Sequence, residues 1–330
     1  MSNLRAIPVE INWHSGLPVY ASEAFLKSVG DEYGWIGGIE ESGQISCILP
    51  YTVIRKPGFR IARFRLETLP LQAELSLEEE KSFLNSAIAH FRSTGADMIM
   101  PAANNSVFRT FPDGAVVAPY GTLIKDLTQP EESLFNEVYP DYRKNIRRAI
   151  KDEVQVKNGM QYLDTAYDLI ADTLKRSNLK FKKRAEFNKP LLALGDNVRI
   201  FVAERAGVIQ ACLATPFSQH SAYSWYSGTI ENPVKGAMHL LQWEAIRQFR
   251  AMGVKRFNFT GVRLNPEKGS KQEGIRNFKI RFGGKLVEGY IWKYSFNPLK
   301  FAAYSVAVRF LWGDDVVQYK PSTEVEVVPG

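Results

Sequence analysis

The nine-residue pattern Ala87-Ile88-x-x-Phe91-Arg92-x-x-Gly95 returns as Ala245-Ile246-x-x-Phe249-Arg250-x-x-Gly253, 158 residues further along. In both copies the apolar positions fall on one face of a helix, and the glycine stands where a C′ residue ends one. Both copies run into a strand-like stretch, 96–100 and 257–259. Upstream, a hairpin pattern at 36–50, turning at Glu40-Glu41-Ser42-Gly43, is echoed at 200–216, turning at Glu204-Arg205-Ala206-Gly207. Two hairpin–helix–strand units in the same order predict a duplicated α/β fold.

The spacing of apolar and capping residues fills in the rest. A helix over 77–93 starts at a capping box, Ser76 with Glu79. Further helices are expected at 131–138, 142–151, 164–177, 239–252 and 299–310, and strands at 223–226 and 286–294. In 142–151, Asp141 is the expected N-cap and Ile146, Ala149 and Ile150 the apolar face. The units meet near 129–142. This gives domains 1–135 and 136–296, with 297–330 returning to the first. A chain of 330 residues with 45% hydrophobic content suits about two domains. Only the tail, 321–330, reads as disordered.

Cys47 and Cys212 each sit in an apolar run and read as core residues. Four scattered histidines and no CxxC or HExxH pattern give no metal site. No signal-peptide pattern and no apolar run of about 18 residues occurs, so a cytoplasmic protein is expected.

The charge is concentrated. Net charge is +7 over the chain, and residues 255–285 alone hold nine Lys and Arg against Glu267 and Glu273. Within this stretch, KGSKQEGIRNFKIRFGG (268–284) mixes basic residues with glycines, which suits an anionic, phosphate-bearing substrate. Two smaller basic clusters lie at 143–151 and 175–189. No helix-turn-helix, zinc finger or RNA-recognition signature appears, so DNA is not an expected partner.

The hairpin, glycine-ended helix and strand resemble the GNAT (N-acetyltransferase-like) pattern. The tandem form, with RKNIRRA at 143–149, the run from Gly236 to Val262, and GIRNFKIRFGG at 274–284, resembles the Fem-type peptidyltransferases, which build peptidoglycan cross-bridges. The resemblance implies an α/β (α+β) fold of two tandem GNAT-like domains, with mixed central sheets flanked by helices. It implies an enzyme that needs no cofactor. An aminoacyl-tRNA would donate its acyl group to an amine on a nucleotide- or lipid-linked cell-envelope precursor. Residues 161–199 show no sustained heptads, so the chain is similar to members without a coiled-coil arm.

Ester aminolysis needs a neutral amine and a stabilised oxyanion, with no covalent enzyme intermediate, so the lack of a Ser/His/Asp set is no objection. The family's Phe-Lys pair falls on Phe278 and Lys279. The resemblance implies that the Lys279 ammonium stabilises the tetrahedral intermediate or holds acceptor phosphates, with backbone N–H groups around Phe278 as further donors. Lys271 and Arg276 fall on a loop expected to lie over the substrate, ahead of a Gly283-Gly284 turn. Arg143, Lys144, Arg147 and Arg148 either bind phosphates of acceptor or tRNA or form a solvated helix face. Tyr223, Trp225 and Tyr226 either line a substrate groove or are buried strand aromatics. His239, at a helix start, reads as structural or as a proton shuttle.

Two departures from the family pattern stand out. Met100-Pro101 replaces the Asp-Pro often found after the first repeat's strand. The loop that cradles CoA pyrophosphate in GNAT enzymes is reduced here to Lys235-Gly236-Ala237. Two alternatives therefore stay open. One is a GNAT enzyme that uses acyl-CoA or an acyl carrier protein to N-acylate an amino sugar of a surface polysaccharide. The other is a non-catalytic protein that binds anions or a membrane surface through its basic clusters. The apolar helix at 298–312, with Phe301, Tyr304, Ala307, Val308 and Leu311, would either dock on the first domain or touch the inner face of the membrane.

Overall fold

The computed structural model describes residues 4–101 and 106–312, with side chains to residue 307. The expected disorder of 321–330 and the side chains of Val308 and Leu311 lie outside the described residues.

The first unit runs β1 (Arg5–Val9), α1 (Glu23–Val29), β2 (Glu32–Ile39), β3 (Ile45–Lys56), β4 (Phe59–Phe64), β5 (Leu69–Pro70), α2 (Leu77–Ser93), β6 (Met98–Ile99) and β7 (Val116–Asp126). Then α3 (Glu131–Asn136) and α4 (Pro140–Lys151) lead into the second: β8 (Gln155–Asn158), α5 (Leu163–Lys175), α6 (Arg184–Leu194), β9 (Val198–Arg205) and β10 (Val208–Pro216). It continues with β11 (Ala222–Tyr223), β12 (Tyr226–Thr229), α7 (Ala237–Ala251), β13 (Arg256–Val262), α8 (Lys271–Arg281) and β14 (Lys285–Ser295). The last element is α9 (Pro298–Trp312).

The repeat is a structural duplication. In α2, Gly95 N–H donates to Arg92 O and Ala96 N–H to Phe91 O; in α7, Gly253 N–H donates to Arg250 O and Val254 N–H to Phe249 O. Both helices thus end in the same Schellman motif. Its left-handed C′ position, φ 74° at Gly95 and 78° at Gly253, explains the repeated glycine. Phe91 and Phe249 bury the matching core positions, at 1% and 0% exposure. Each helix feeds a strand that pairs in parallel with the strand before it: Ile61 faces Met98 in β4/β6, and Ala222 faces Phe257 in β11/β13.

The units are not separable. Ten strands form one sheet whose centre reads β4-β6-β14-β7-β13-β11. β14, the last strand of the second unit, sits between β6 and β7 of the first, and β7 pairs with β13 of the second. Each unit contributes its closing strand to the other. The remaining sheet, β12-β10-β9-β8, belongs to the second unit. A core cluster also crosses the halves, with Tyr20, Phe25 and Leu26 packed among Ile170, Phe187, Val202 and Tyr223. The expected boundary at 135/136 therefore divides the sequence but not the core. α9 lies on the first unit: Tyr304 is buried with Ile61, Met98 and Met100, and Lys300 pairs with Asp97 at 2.8 Å.

Several expectations are corrected. Residues 223–226 are not one strand but the ends of two, in different sheets. α4 begins at Pro140 with Tyr139 as N-cap, because proline's fixed φ suits the first helical position. Asp141 instead lies in the first turn and pairs with Arg281 at 2.9 Å. Ile150 is 58% exposed, leaving Ile146 and Ala149 as the core face of α4. The basic stretch expected as a loop is the helix α8, capped by the Ser270 hydroxyl accepting from Glu273 N–H. In the interval 161–199 a second helix, α6, follows the expected one, α5.

Candidate active site

The chain from Ala222 to Thr229 crosses between the two sheets. Ser224 N–H donates to Asn258 O at 2.9 Å, and Trp225 N–H, one residue on, donates to Ala214 O at 3.1 Å. At that step the chain passes from β13 to β10, and the two sheets part at a cleft. From Asn258 onward, the edge of β13 that faces the cleft has lost its strand partner.

The strand deforms at this point. Its register against β7 slips between Asn258 and Gly261, a bulge, and Thr260 sits at φ 65°. A left-handed conformation is unusual for a β-branched residue and is retained only where surrounding contacts enforce it. Two contacts do so. Asn258 Oδ1 accepts from Thr260 N–H at 2.7 Å and from Thr122 Oγ1 at 3.0 Å. Lys279 Nζ, from α8, donates to Gly261 O at 3.0 Å and lies 3.2 and 3.3 Å from Thr260 O and Oγ1.

With its amine, Lys279 thus caps the carbonyls of the bulge in β13. Burial pulls that amine down to about 7, so its charge is exchangeable near neutrality. Arg276 lies one turn earlier on the same helix face, and its Nε is buried without a partner among the described residues. Lys271 is exposed in the first turn of α8 and is not a loop residue over the cleft. Phe278 does not present a free backbone donor: it is inside α8, where its N–H belongs to the helical ladder. Its ring packs on Tyr142, His239 and Phe282, centroids 5.7, 5.9 and 5.0 Å away. His239, in this aromatic cluster, has its imidazole held below the usual range by burial.

Gly236 is buried at the N-terminus of α7, with Ala237 buried beside it and Lys235 exposed. Its φ is 91°, and a Cβ there would lie 2.2 Å from Asn145 O of α4. This glycine is required by the close approach of α4. Gly236→Ala is expected to cost more than about 2 kcal/mol through strain and clash, measured as a lowered denaturation midpoint. Arg143, Lys144, Arg147 and Arg148 lie on the outer side of α4. Arg143 reaches Asn136, Arg147 covers the Phe135 ring and Arg148 pairs with Asp152.

Residues of both units enclose a space beside Trp225 and Tyr226. The space, of about 520 Å³, is lined by Tyr20, Arg63, Arg65, Lys182, Trp225 and Tyr226, with Asp31 and Glu186 also on its wall. Tyr223 is buried behind it, 4.5 Å from the Tyr20 ring, while Trp225 and Tyr226 line it. Lys182 Nζ stands 5.2 and 5.1 Å from the rings of Trp225 and Tyr226. Arg65 donates to Thr52 Oγ1 and Val29 O, and burial, with Arg63 alongside, pulls it down to about 9. Arg63 donates to Tyr304 OH, and its Nε is buried without a partner. Among the described residues no ion pair neutralises Arg63, Arg65 or Lys182. A larger groove, about 680 Å³ beside Arg5, Lys81 and Asp113, includes none of the fork residues.

The loop between β4 and β5 carries Glu67, a residue with no distinguishing sequence pattern. Its Oε2 is buried without a hydrogen bond among the described residues. Those residues hold no cluster of three or more His, Cys, Asp or Glu suited to a metal, and no helix long and apolar enough to cross a membrane.

The forked sheet gives the chain a GNAT-like acyltransferase fold. Residues 140–273, which include the fork, match the family model described as "Acetyltransferase (GNAT) domain". No curated protein matches the sequence. The crystal structure of FemX superimposes with a TM-score of 0.68 and 12% identity, covering 90% of this chain and 99% of that one. The C-terminal domain of a putative lysylphosphatidylglycerol synthetase from Agrobacterium fabrum follows it with a TM-score of 0.51 and 15% identity, covering 87% and 91%. The structure of L-PGS from Bacillus licheniformis does so at 0.50 and 12%, covering 88% and 92%. At these identities the likeness is one of fold.

Proposed function

We propose that the chain moves an aminoacyl group from aminoacyl-tRNA to an amine on a nucleotide- or lipid-linked cell-envelope precursor. The observation that carries this reading is the set of unneutralised cations Arg63, Arg65 and Lys182 beside the aromatic wall of Trp225 and Tyr226. Uncompensated guanidinium groups are costly to bury, and they suit phosphate oxygens, which accept charge-assisted hydrogen bonds. The aromatic faces suit a flat or sugar ring attached to those phosphates. We assign the reacting carbonyl to the fork, beside Lys279, and the acceptor phosphates to this pocket. The fold likeness to FemX and to lysylphosphatidylglycerol synthetase supports an aminoacyl donor. The basic face of α4, on the other side of α7, is the surface we assign to tRNA phosphates.

In the reaction, a neutral amine attacks the ester carbonyl and negative charge builds on the carbonyl oxygen. Lys279 supplies positive charge there in a site partly shielded from water, where such charge acts strongly. No covalent intermediate with the protein is required.

The family-model match favours a second reading, acyl-CoA as donor and an amino sugar as acceptor. One experiment separates them. The full chain is incubated with alanyl-, seryl-, glycyl- or lysyl-tRNA and a nucleotide-linked muropeptide bearing a free lysine amine, or with acetyl-CoA and glucosamine, and products are identified by mass spectrometry. Transfer from charged tRNA is expected. Transfer from acetyl-CoA alone replaces the first reading with the second. Arg63→Ala and Lys182→Ala are each expected to raise KM for the phosphate-bearing acceptor about tenfold, with kcat little changed, as loss of a charge-assisted contact predicts.

A further inference from the structure

Asn258 is a polar residue in the middle of a buried strand. Its neighbours in β13, Phe257 and Phe259, are buried, and Asn258 itself is only 8% exposed. A buried amide is unfavourable unless it is hydrogen-bonded, and a plain strand would take an apolar residue there. Three hydrogen bonds account for it. The backbone oxygen accepts from Ser224 N–H at 2.9 Å, the last bond to β13 before the chain crosses to β10. The side-chain Oδ1 accepts from Thr260 N–H at 2.7 Å and from Thr122 Oγ1 of β7 at 3.0 Å. The first of these side-chain bonds is an Asx-turn, in which an asparagine binds the backbone two residues on. The second comes from the first unit and fixes which way the amide faces. One residue thus marks the parting of the sheets and shapes the strand just beyond it.

That shape matters to Lys279. In an extended strand successive carbonyls point to opposite sides, so one amine cannot reach two in a row. Here Lys279 Nζ lies 3.2 Å from Thr260 O and 3.0 Å from Gly261 O. Both meet it because β13 leaves the extended form at this point: its register against β7 slips between Asn258 and Gly261, and Thr260 stands at φ 65°. A β-branched residue keeps that φ only under outside restraint. Asn258 supplies the restraint from within β13, braced by Thr122. Bulges re-aim groups of this kind beside active sites.

We propose that Asn258 is a positioning residue for Lys279: it holds the bulge at Thr260 in the form whose two carbonyls seat the amine, with Thr122 as its brace. This role rests on the acyl-transfer reading above. Asn258 touches neither donor nor acceptor in it. It acts on the rate through the place it gives the Lys279 ammonium. Because Thr122 belongs to β7, the first unit takes part in setting a group of the second.

Asn258→Ala removes the Oδ1 acceptor. With whichever donor the wild type uses, kcat is expected to fall about 10²-fold, the cost of misplacing a catalytic group by about 1 Å. The acceptor KM should change little, since no contact with acceptor is lost. Asn258→Ser keeps a weaker acceptor for Thr260 N–H and should lose less, and it carries the same comparison if the alanine variant does not fold. Thr260→Gly provides the rescue. Glycine takes a left-handed φ at no steric cost, so the bulge no longer depends on the asparagine, and the double variant should regain most of the lost kcat. Denaturation midpoints give a readout free of activity. Asn258→Ala should lower the midpoint clearly when residue 260 is threonine and much less when it is glycine, because residues that bond each other are coupled. Wild-type kcat in Asn258→Ala overturns the assignment, as does a loss of kcat that Thr260→Gly leaves unrecovered, or midpoint changes that simply add. A wild type inactive with every donor overturns the acyl-transfer reading and the positioning role with it. The two failures are distinct, because the first leaves an active wild type.

Discussion

Replacing Lys279 with alanine is expected to lower kcat by about 10²–10³-fold, the effect of removing one preorganised donor from an oxyanion site. The reason lies in how the amine is held. Its acceptors are oxygens of Thr260 and Gly261, 3.0 to 3.3 Å away, with no carboxylate among them. Neutral oxygens position an ammonium without cancelling its charge, so that charge remains available to a developing oxyanion. Because burial lowers the amine to about 7, the charged form is lost as pH rises through that value, and wild-type kcat should decline there. Lys279→Arg keeps a permanent charge and should remove that alkaline limb, even if its bulk slows the reaction. A lysine that only anchors the bulge would behave differently. Its loss would lower stability and kcat together but leave the alkaline limb in place. Lys279→Ala with wild-type turnover would eliminate a catalytic role.

The features that proved legible in sequence are those fixed by local chemistry. The glycines at 95 and 253 mark Schellman motifs, the Ser76–Glu79 capping box is formed, and the hairpin turns at Gly43 and Gly207 have the left-handed φ that a tight turn asks of glycine. The duplication follows from these. The site was legible only in part. Lys279 is at the fork, and the basic cluster at 175–189, read only as general anion-binding charge, supplies Lys182 to the pocket. What was not legible depends on contacts distant in sequence. Nothing near residue 67 announces a carboxyl oxygen enclosed without a donor, because the enclosure comes from the fold. Nothing near 223–226 announces a strand that changes sheets, since a run of aromatics and small residues fits either one. The helix α8 was hidden by its glycines and charges, which read as a loop until Ser270 is recognised as its cap.

The exchange of closing strands sets the last expectation. A fragment ending at Gln129 keeps β7 but lacks β14, so β6 loses a neighbour and the Trp292 ring is missing from between Phe64 and Phe108, each 5.3 Å from it. Losing a buried tryptophan alone costs about 3–5 kcal/mol, against a typical total stability of about 5–15 kcal/mol. The complementary fragment from Pro130 loses β7, which joins β13 to β14, and Leu123, buried in its core cluster. It also loses Tyr20, Phe25 and Leu26 from the cluster under α5 and α6. Each fragment then exposes unpaired strand edges, which invite aggregation. Expressed alone, both fragments should be insoluble or lack a cooperative thermal transition. Expressed together, they should form a soluble one-to-one complex, because the strands that each lacks are supplied by the other. A single fragment that is soluble, monomeric and melts cooperatively would show that the exchanged strands are dispensable, and the two units would then be independent domains after all.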